Sequence, residues 1–436
     1  MNLKRIAAAG VALAAALTLT ACAGGARPGG TGSEATGGAF TAWALTGGAE
    51  PAFKASFDEW NAAKPATPLK AEFFANDAFK EKIRTAVGSG NAPTLIYSWS
   101  GAALKDYVAN KNVVDLTQST GTLQGRLVPS VLDAGKVDGK VFAVPNNNAQ
   151  PIMFFHNKEL FAKAGIAAAP TTFAELLDAV AKLKAAGVKT PIALAGQSLW
   201  PELMWIEYLA DRVGGPEAFQ AVIDGKPDAW SNPDMLKALA MIQELVKAGA
   251  FGDKYGSVVA DSGADIALVH TGKAGMVLQG AWVYGSFLTD APDFVAKGSL
   301  GFGGFPAVEG GKGDPTNIVG NPANFWSVSA TATPAQQEAA ISYLNESLLN
   351  ATYVDTLIAA GSVPVTNNAA DKLKASDQAA FLTYAYDLVK NAPNFELSWD
   401  QALPSGTAQA MLTNLGQIFL LQQTPEEFAA NMKSAK

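Results

Sequence analysis

A two-lobed α/β architecture is the fold class this sequence predicts. Short β-type runs alternate with helical patterns through most of the 436 residues. The part able to bury a core begins near Phe40 and covers about 400 residues, more than a single hydrophobic core usually serves. Recognisable helix-start signals separate the strands.

Residues 40–45, 94–98, 141–144, 152–155, 191–195 and 276–279 read as strands. Each is brief, apolar and rich in β-formers, as in a covered and largely parallel sheet. Helices fill the intervals. Phe53, Phe57 and Trp60 share one face, and so do Phe79, Ile83 and Val87. Thr172 and Glu175 form a capping box ahead of Phe173, Leu176, Leu177, Val180 and Leu183, and Gly187 ends that helix. Thr333, Pro334 and Gln336 open another, carrying Ile341, Leu344 and Leu348. Thr424, Pro425 and Glu427 open the last. Ligand crevices in such folds lie at the carboxyl ends of strands. The sequence shows no internal repeat and no Walker-type or dinucleotide glycine fingerprint. Gly301-Phe302-Gly303-Gly304 runs into Phe305-Pro306 rather than a helix, which argues against a phosphate cradle.

The N-terminus predicts an extracytoplasmic address. Lys4 and Arg5 precede an uncharged apolar or small run at 6–19. A transmembrane helix needs roughly 20 apolar residues, so this run reads as a signal peptide. It ends in Leu19-Thr20-Ala21-Cys22, which resembles a bacterial lipobox. Cys22 is the single cysteine, so it has no internal disulfide partner and is the candidate lipid anchor. Residues 1–22 are thus read as a lipoprotein signal peptide, and the Gly-rich 23–38 as a flexible tether to the outer face of the cell membrane.

Composition narrows the function classes. The net charge is −7 and the pI about 5.1, with dispersed Lys and Arg, so nucleic acid is not an expected partner. His156 and His270 are the two histidines, which leaves little for a metal site or a histidine-based catalytic centre. Neither a metal nor a cofactor is expected.

Several segments together resemble the family 1 extracellular solute-binding proteins that serve ATP-binding-cassette carbohydrate importers, over nearly the whole mature chain. Gly88-Ser89-Gly90-Asn91-Ala92-Pro93 with Thr94-Leu95-Ile96-Tyr97 is similar to the family's turn and strand before the cleft, with Thr94 where Asp is usual. Residues 107–116 resemble the segment that follows. Phe154-Phe155-His156-Asn157-Lys158-Glu159-Leu160-Phe161-Ala162-Lys163-Ala164-Gly165-Ile166, then Pro170, is the most specific piece, with His156 where Tyr is usual. Gly272-Lys273-Ala274-Gly275-Met276 with Gly280-Ala281-Trp282 resembles another recurring segment. The resemblance implies a type II periplasmic-binding-protein-like fold, two α/β lobes closing by hinge motion. Lobe 1 would hold 39–148 and 318–361, and lobe 2 would hold 151–315 and 364–436. It further implies a monomer with no enzymatic activity, whose partners are a sugar and permease subunits and whose only membrane contact is the lipid anchor.

A sugar presents C–H patches to aromatic rings and hydroxyls to fixed polar groups, so its site should combine Trp with amides and carboxylates. Among nine tryptophans, Trp60, Trp205 and Trp326 fall in core patterns and Trp230 at a helix entry. Trp43, Trp99, Trp200, Trp282 and Trp399 fall at strand ends or in polar loops and are the candidate stacking residues. Glu50, Asn76, Asn148, Asn321 and Asp400 are the candidate polar contacts. Glu50 is equally suited to stabilising a helix N-terminus, and the asparagines to turn chemistry. The segment around Trp399-Asp400 is similar to binding proteins for plant-polysaccharide fragments, so a neutral di- or oligosaccharide such as xylobiose is the expected ligand.

Two other readings stay open. A secreted glycoside hydrolase would need two carboxylates about 5 to 10 Å apart across a sugar, and no Glu or Asp lies in a recognisable hydrolase segment. A solute-binding protein for a non-sugar ligand is the other; an amino acid or phosphate would want a fixed cation, and no Arg stands at an expected cleft position.

Overall fold

The computed structural model describes residues 38–63 and 67–435. Cys22, the expected signal peptide and the tether up to residue 37 lie outside the described residues. Two separate sheets organise the chain, giving the two-lobed α/β fold.

The first sheet has the order β2-β1-β3-β12-β6, where β1 is Phe40–Leu45, β2 Leu69–Phe74, β3 Leu95–Ser98, β6 Val144–Pro145 and β12 Phe325–Val328. β1 is parallel to β2 and β3, while β12 runs antiparallel to β3 and β6. The second sheet has the order β13-β11-β7-β9-β8, with β7 Gln150–Asn157, β8 Thr190–Ala193, β9 Ala274–Gly280, β11 Ile318–Asn321 and β13 Phe395–Leu397; β10 (Leu300–Gly303) also pairs with β7. β7 is antiparallel to β9, β10 and β11. The sheets are therefore mixed, not largely parallel, because the chain crosses between them and re-enters each in the opposite sense. The strand expected at 141–144 is divided: Val141 belongs to a hairpin of β4 (Lys136–Val137) and β5 (Lys140–Val141), and Val144 to β6. Asp138 and Gly139 both take positive φ, as a tight hairpin turn requires.

β11 corrects the expected return to the first lobe at 318. Ile318–Asn321 hydrogen-bonds to β7 and β13 of the second sheet, and the chain crosses at Pro322–Asn324 before Phe325 enters the first.

Packing follows from side-chain alternation. Ile152 and Phe154 of β7 join one apolar cluster with Leu176, Trp205 and Phe305, while Met153 and Phe155 join another with Val277, Phe287 and Phe381. Alternate residues of a strand face opposite ways, so β7 is covered on both sides and reads as a continuous apolar run. A third cluster fills the first lobe around Phe40, Phe53, Trp60, Tyr97 and Trp326. Burying each such aromatic contributes roughly 1.5–3 kcal/mol. The expected capping box forms at Thr172/Glu175, and the helix starts read at Thr333 and Thr424 are capping boxes as well, with Gln336 and Glu427.

Candidate functional site

Between the two sheets lies a cavity of about 370 Å³, at the carboxyl ends of β1 and β3. Its first wall comes from the loop after β1 (Thr46 to Ala49), from Asn76 and Lys80 on the helix after β2, and from Tyr97 and Trp99. Gly47 and Gly48 both have positive φ, which lets that loop turn at the cavity edge. The crossing segments supply an amide-rich floor: Asn147, Asn148, Gln150, Asn321 and Asn324. The second wall carries Trp200, Met204 and Glu207 from the helix Trp200–Gly214, then Asp265, Gln279, Trp282, Asp400 and Gln401.

Seven expected residues line this cavity: Asn76, Trp99, Asn148, Trp200, Trp282, Asn321 and Asp400. Three do not. Trp43 sits in mid-strand, edge-on to Phe74 with the Lys82 ammonium 4.5 Å from its ring centroid. Glu50 begins the helix Glu50–Ala63, accepts from the Gly47 backbone N–H at 2.8 Å and pairs with Lys54, so it serves the helix terminus. Trp399 is fully buried and stacks on Phe219 at 4.3 Å, its indole N–H donating to Glu396 Oε1 at 2.6 Å. It is a core residue behind the cleft wall. Trp60, Trp205 and Trp326 are buried, as their patterns predict.

Sequence reasoning missed Lys80, Tyr97, Glu207, Asp265 and Gln279. Glu207 was legible in principle: Trp200, Leu203, Met204 and Glu207 recur at helical spacing along one face. Tyr97 reads as an ordinary apolar strand residue, and only tertiary structure brings its hydroxyl to Asn324 Nδ2, which donates to it at 2.5 Å.

The acidic groups of the second wall are desolvated. Burial pushes the Glu207 carboxyl well above the usual range; the Trp399 backbone N–H, 2.7 Å from Oε1, opposes this, and Asp400 and Glu396 nearby reinforce it. Burial also raises Asp265, offset by the Gln279 amide donating at 2.7 Å. Glu207 Oε2 and the side-chain oxygens of Asn321 and Asn324 have no protein hydrogen-bond partner. Buried polar atoms of this kind call for hydrogen-bond partners, and a hydroxylated ligand can both donate and accept. Trp200 and Trp282 stand with ring centroids 6.1 Å apart at 49°, a tilted aromatic pair on one wall facing Trp99 on the other.

Among the described residues, Lys80 is the sole Lys or Arg on the cavity wall, and its ammonium is 3.0 Å from Asp400 Oδ2. No group of three or more His, Cys, Asp or Glu among them is placed to hold a metal ion. His156 is buried on β7, stacked on Phe161 at 4.5 Å and lowered to about 4 by burial. No helix among the described residues is long and apolar enough to cross a membrane.

Residues 44–347 match the family of bacterial extracellular solute-binding proteins. The chain belongs to that family. The chain is similar to the xylose/arabinose-binding protein XacG of Haloferax volcanii, 29% identical over 244 residues, 54% of this chain and 50% of that one. The sn-glycerol-3-phosphate-binding periplasmic protein UgpB of Escherichia coli K12 is 27% identical over 257 residues, 55% of this chain and 54% of that one. The chain thus spans about half the length of the curated relatives it matches. A solved structure from work on xylan utilization by the thermophilic bacterium Caldanaerobius polysaccharolyticus superposes with a TM-score of 0.81 at 29% identity, covering 91% of this solute-binding protein and 99% of that chain.

Proposed function

We propose that this solute-binding protein is the capture component of an ATP-driven carbohydrate importer and that its ligand is a neutral di- or oligosaccharide, xylobiose being the first candidate. The observation that carries the reading is the composition of the cleft: half-buried Trp99, Trp200 and Trp282 over an amide floor, with the one lining ammonium already engaged by Asp400. Rings take up the C–H faces of a sugar, and unpartnered amide and carboxyl oxygens take up its hydroxyls. A phosphate ester, the ligand for which UgpB is named, would want an unengaged cation, and the wall instead carries Glu207, Asp261, Asp265 and Asp400. The pentose-binding relative and the xylan-related structure support a plant-polysaccharide fragment.

In this reading the lobes close on the sugar because both contact it, so closure is favoured by its differential affinity for the closed form. The protein acts as a monomer, tethered through Cys22, and presents the closed form to permease subunits. The test is calorimetric titration and thermal shift with xylobiose, maltose, cellobiose, chitobiose and sn-glycerol 3-phosphate. The reading expects a shift of several degrees with one of the neutral sugars, no product formed and no response to the phosphate ester. Binding of the phosphate ester alone would defeat it.

A further inference from the structure

Trp200 enters the cleft from a strained turn. The residue before it, Leu199, has φ 60° and ψ −45°, a conformation that a branched side chain rarely adopts. The turn is tied down by the Gln197 N–H donating to Val258 O and by the Ala260 N–H donating to Ser198 Oγ. Strain of this kind persists where the surroundings require one particular side-chain direction. Here the direction takes the indole across the cleft: Trp200 Nε1 donates to Asp77 Oδ1 at 3.1 Å.

Asp77 belongs to the opposite lobe, in the first turn of the helix Asn76–Gly88, whose Phe79, Ile83 and Val87 are buried in the first-lobe core. It is engaged twice more. Asn76 Nδ2 donates to the same Oδ1 at 3.0 Å, and the Asp77 backbone N–H donates to Asp261 Oδ2, again in the second lobe, at 2.8 Å. That N–H is one of those a helix start leaves without an internal partner, so a carboxylate from across the cleft completes the terminus.

We propose that Asp77 is a positioning residue for solute capture: by accepting the Trp200 indole N–H across the cleft, it sets the plane of the ring on which the sugar stacks. The platform of Trp200 and Trp282 is then complete only when the lobes meet, although both rings belong to the second lobe. This inference rests on the sugar-binding reading of the cleft. It predicts that removing the acceptor and removing the indole N–H are the same lesion. In D77A the ring stays but turns freely; in W200F a ring stays but has no N–H to give. D77N keeps an oxygen acceptor in place and so keeps the ring plane.

The experiment has two readouts on the full-length protein. The first is the indole region of the proton–nitrogen NMR spectrum, recorded without ligand and again with saturating xylobiose so that the closed form is sampled, in which the Trp200 signal is identified as the one missing from W200F. It should lose its hydrogen-bonded position in D77A and keep it in D77N; should D77A fail to fold, D77S, whose short hydroxyl falls short of the indole, replaces it. The second is xylobiose affinity. D77A and W200F should each weaken it about fivefold, the worth of one hydrogen bond, while the double variant is no weaker than either single one and D77N stays within twofold. An unmoved Trp200 signal in D77A, or single losses that multiply in the double variant, would overturn the proposal. If the wild-type protein takes no sugar, the carbohydrate reading falls, and the ligand-free spectra decide the positioning role by themselves.

Discussion

Lys80 Nζ lies 3.0 Å from Asp400 Oδ2, joining the helix after β2 to the short helix after β13 across the cleft. The lysine side chain is 29% exposed and the aspartate 11%, so the pair is partly withdrawn from solvent. Asp400 Oδ2 also accepts from Gln401 Nε2 at 2.8 Å, and the ammonium stands 5.4 Å from the Trp99 ring centroid. The carboxylate therefore bridges the lobes while lining the cavity. K80A should leave the melting temperature of the ligand-free protein nearly unchanged, since a single ion pair that solvent still reaches is worth about 1 kcal/mol or less. It should weaken sugar binding about two- to fivefold in low salt, with a smaller effect at high salt. Calorimetry at two salt concentrations checks both parts.

Gly280 precedes Trp282 at the end of β9, and a Cβ placed on it would stand 1.8 Å from the Trp282 ring. The absence of a side chain at 280 is what gives the indole its place on the wall. G280A should displace that ring and weaken sugar binding about as much as W282A does, tenfold or more by the usual worth of a buried aromatic contact. Titration of both variants checks this; wild-type affinity in G280A would contradict it.

Trp399 should matter to stability before it matters to affinity. Its ring stacks on Phe219 and meets Trp230 edge-on at 6.1 Å. W399A should cost about 3–5 kcal/mol in urea unfolding, as large-to-small core changes do, and W399F considerably less. A W399A protein of wild-type stability would contradict its placement in the core.

Stability should fall as pH rises through the neutral range. Burial raises the Glu396 carboxyl to about 8, opposed by the Trp399 indole N–H. An unfolded glutamate releases its proton near 4.5, so between about pH 4.5 and 8 the folded state holds a proton that the unfolded state has lost. The unfolded state binds fewer protons, and stability declines with pH by up to about 1.4 kcal/mol per unit from this group. Glu202, also raised to about 8 by burial, acts in the same direction. E396Q keeps an oxygen for the Trp399 indole but cannot ionise. Its stability relative to wild type should grow from pH 5 to pH 8, measured by urea unfolding at each pH; a constant difference would contradict the assignment.

The fold was legible in the sequence where local pattern and tertiary role agree. The helix starts at Thr172, Thr333 and Thr424 are local hydrogen-bond chemistry, and they formed as read. Strand direction was not legible, because β7 receives antiparallel partners more than 100 residues away and nothing in residues 150–157 records that. The cleft divides the same way. Trp200, Trp282 and the loop asparagines stand out as aromatics and amides beside turns. Trp399 looks identical by that criterion, yet its ring turns into the core because Phe219, far off in the chain, offers a parallel face. Asp77 drew no notice, since an acidic residue in a first helical turn is ordinary until the opposite lobe supplies Trp200.

The proposed capture of a neutral sugar in the cleft between the sheets depends on Trp200 and Trp282. The most direct measurement is calorimetric titration of wild-type, W200A and W282A proteins with xylobiose, alongside sn-glycerol 3-phosphate. The account predicts saturable one-to-one binding of the sugar, lost or weakened at least tenfold in both variants, and no heat from the phosphate ester. Sugar binding unaffected by either substitution, or binding of the phosphate ester alone, would contradict it.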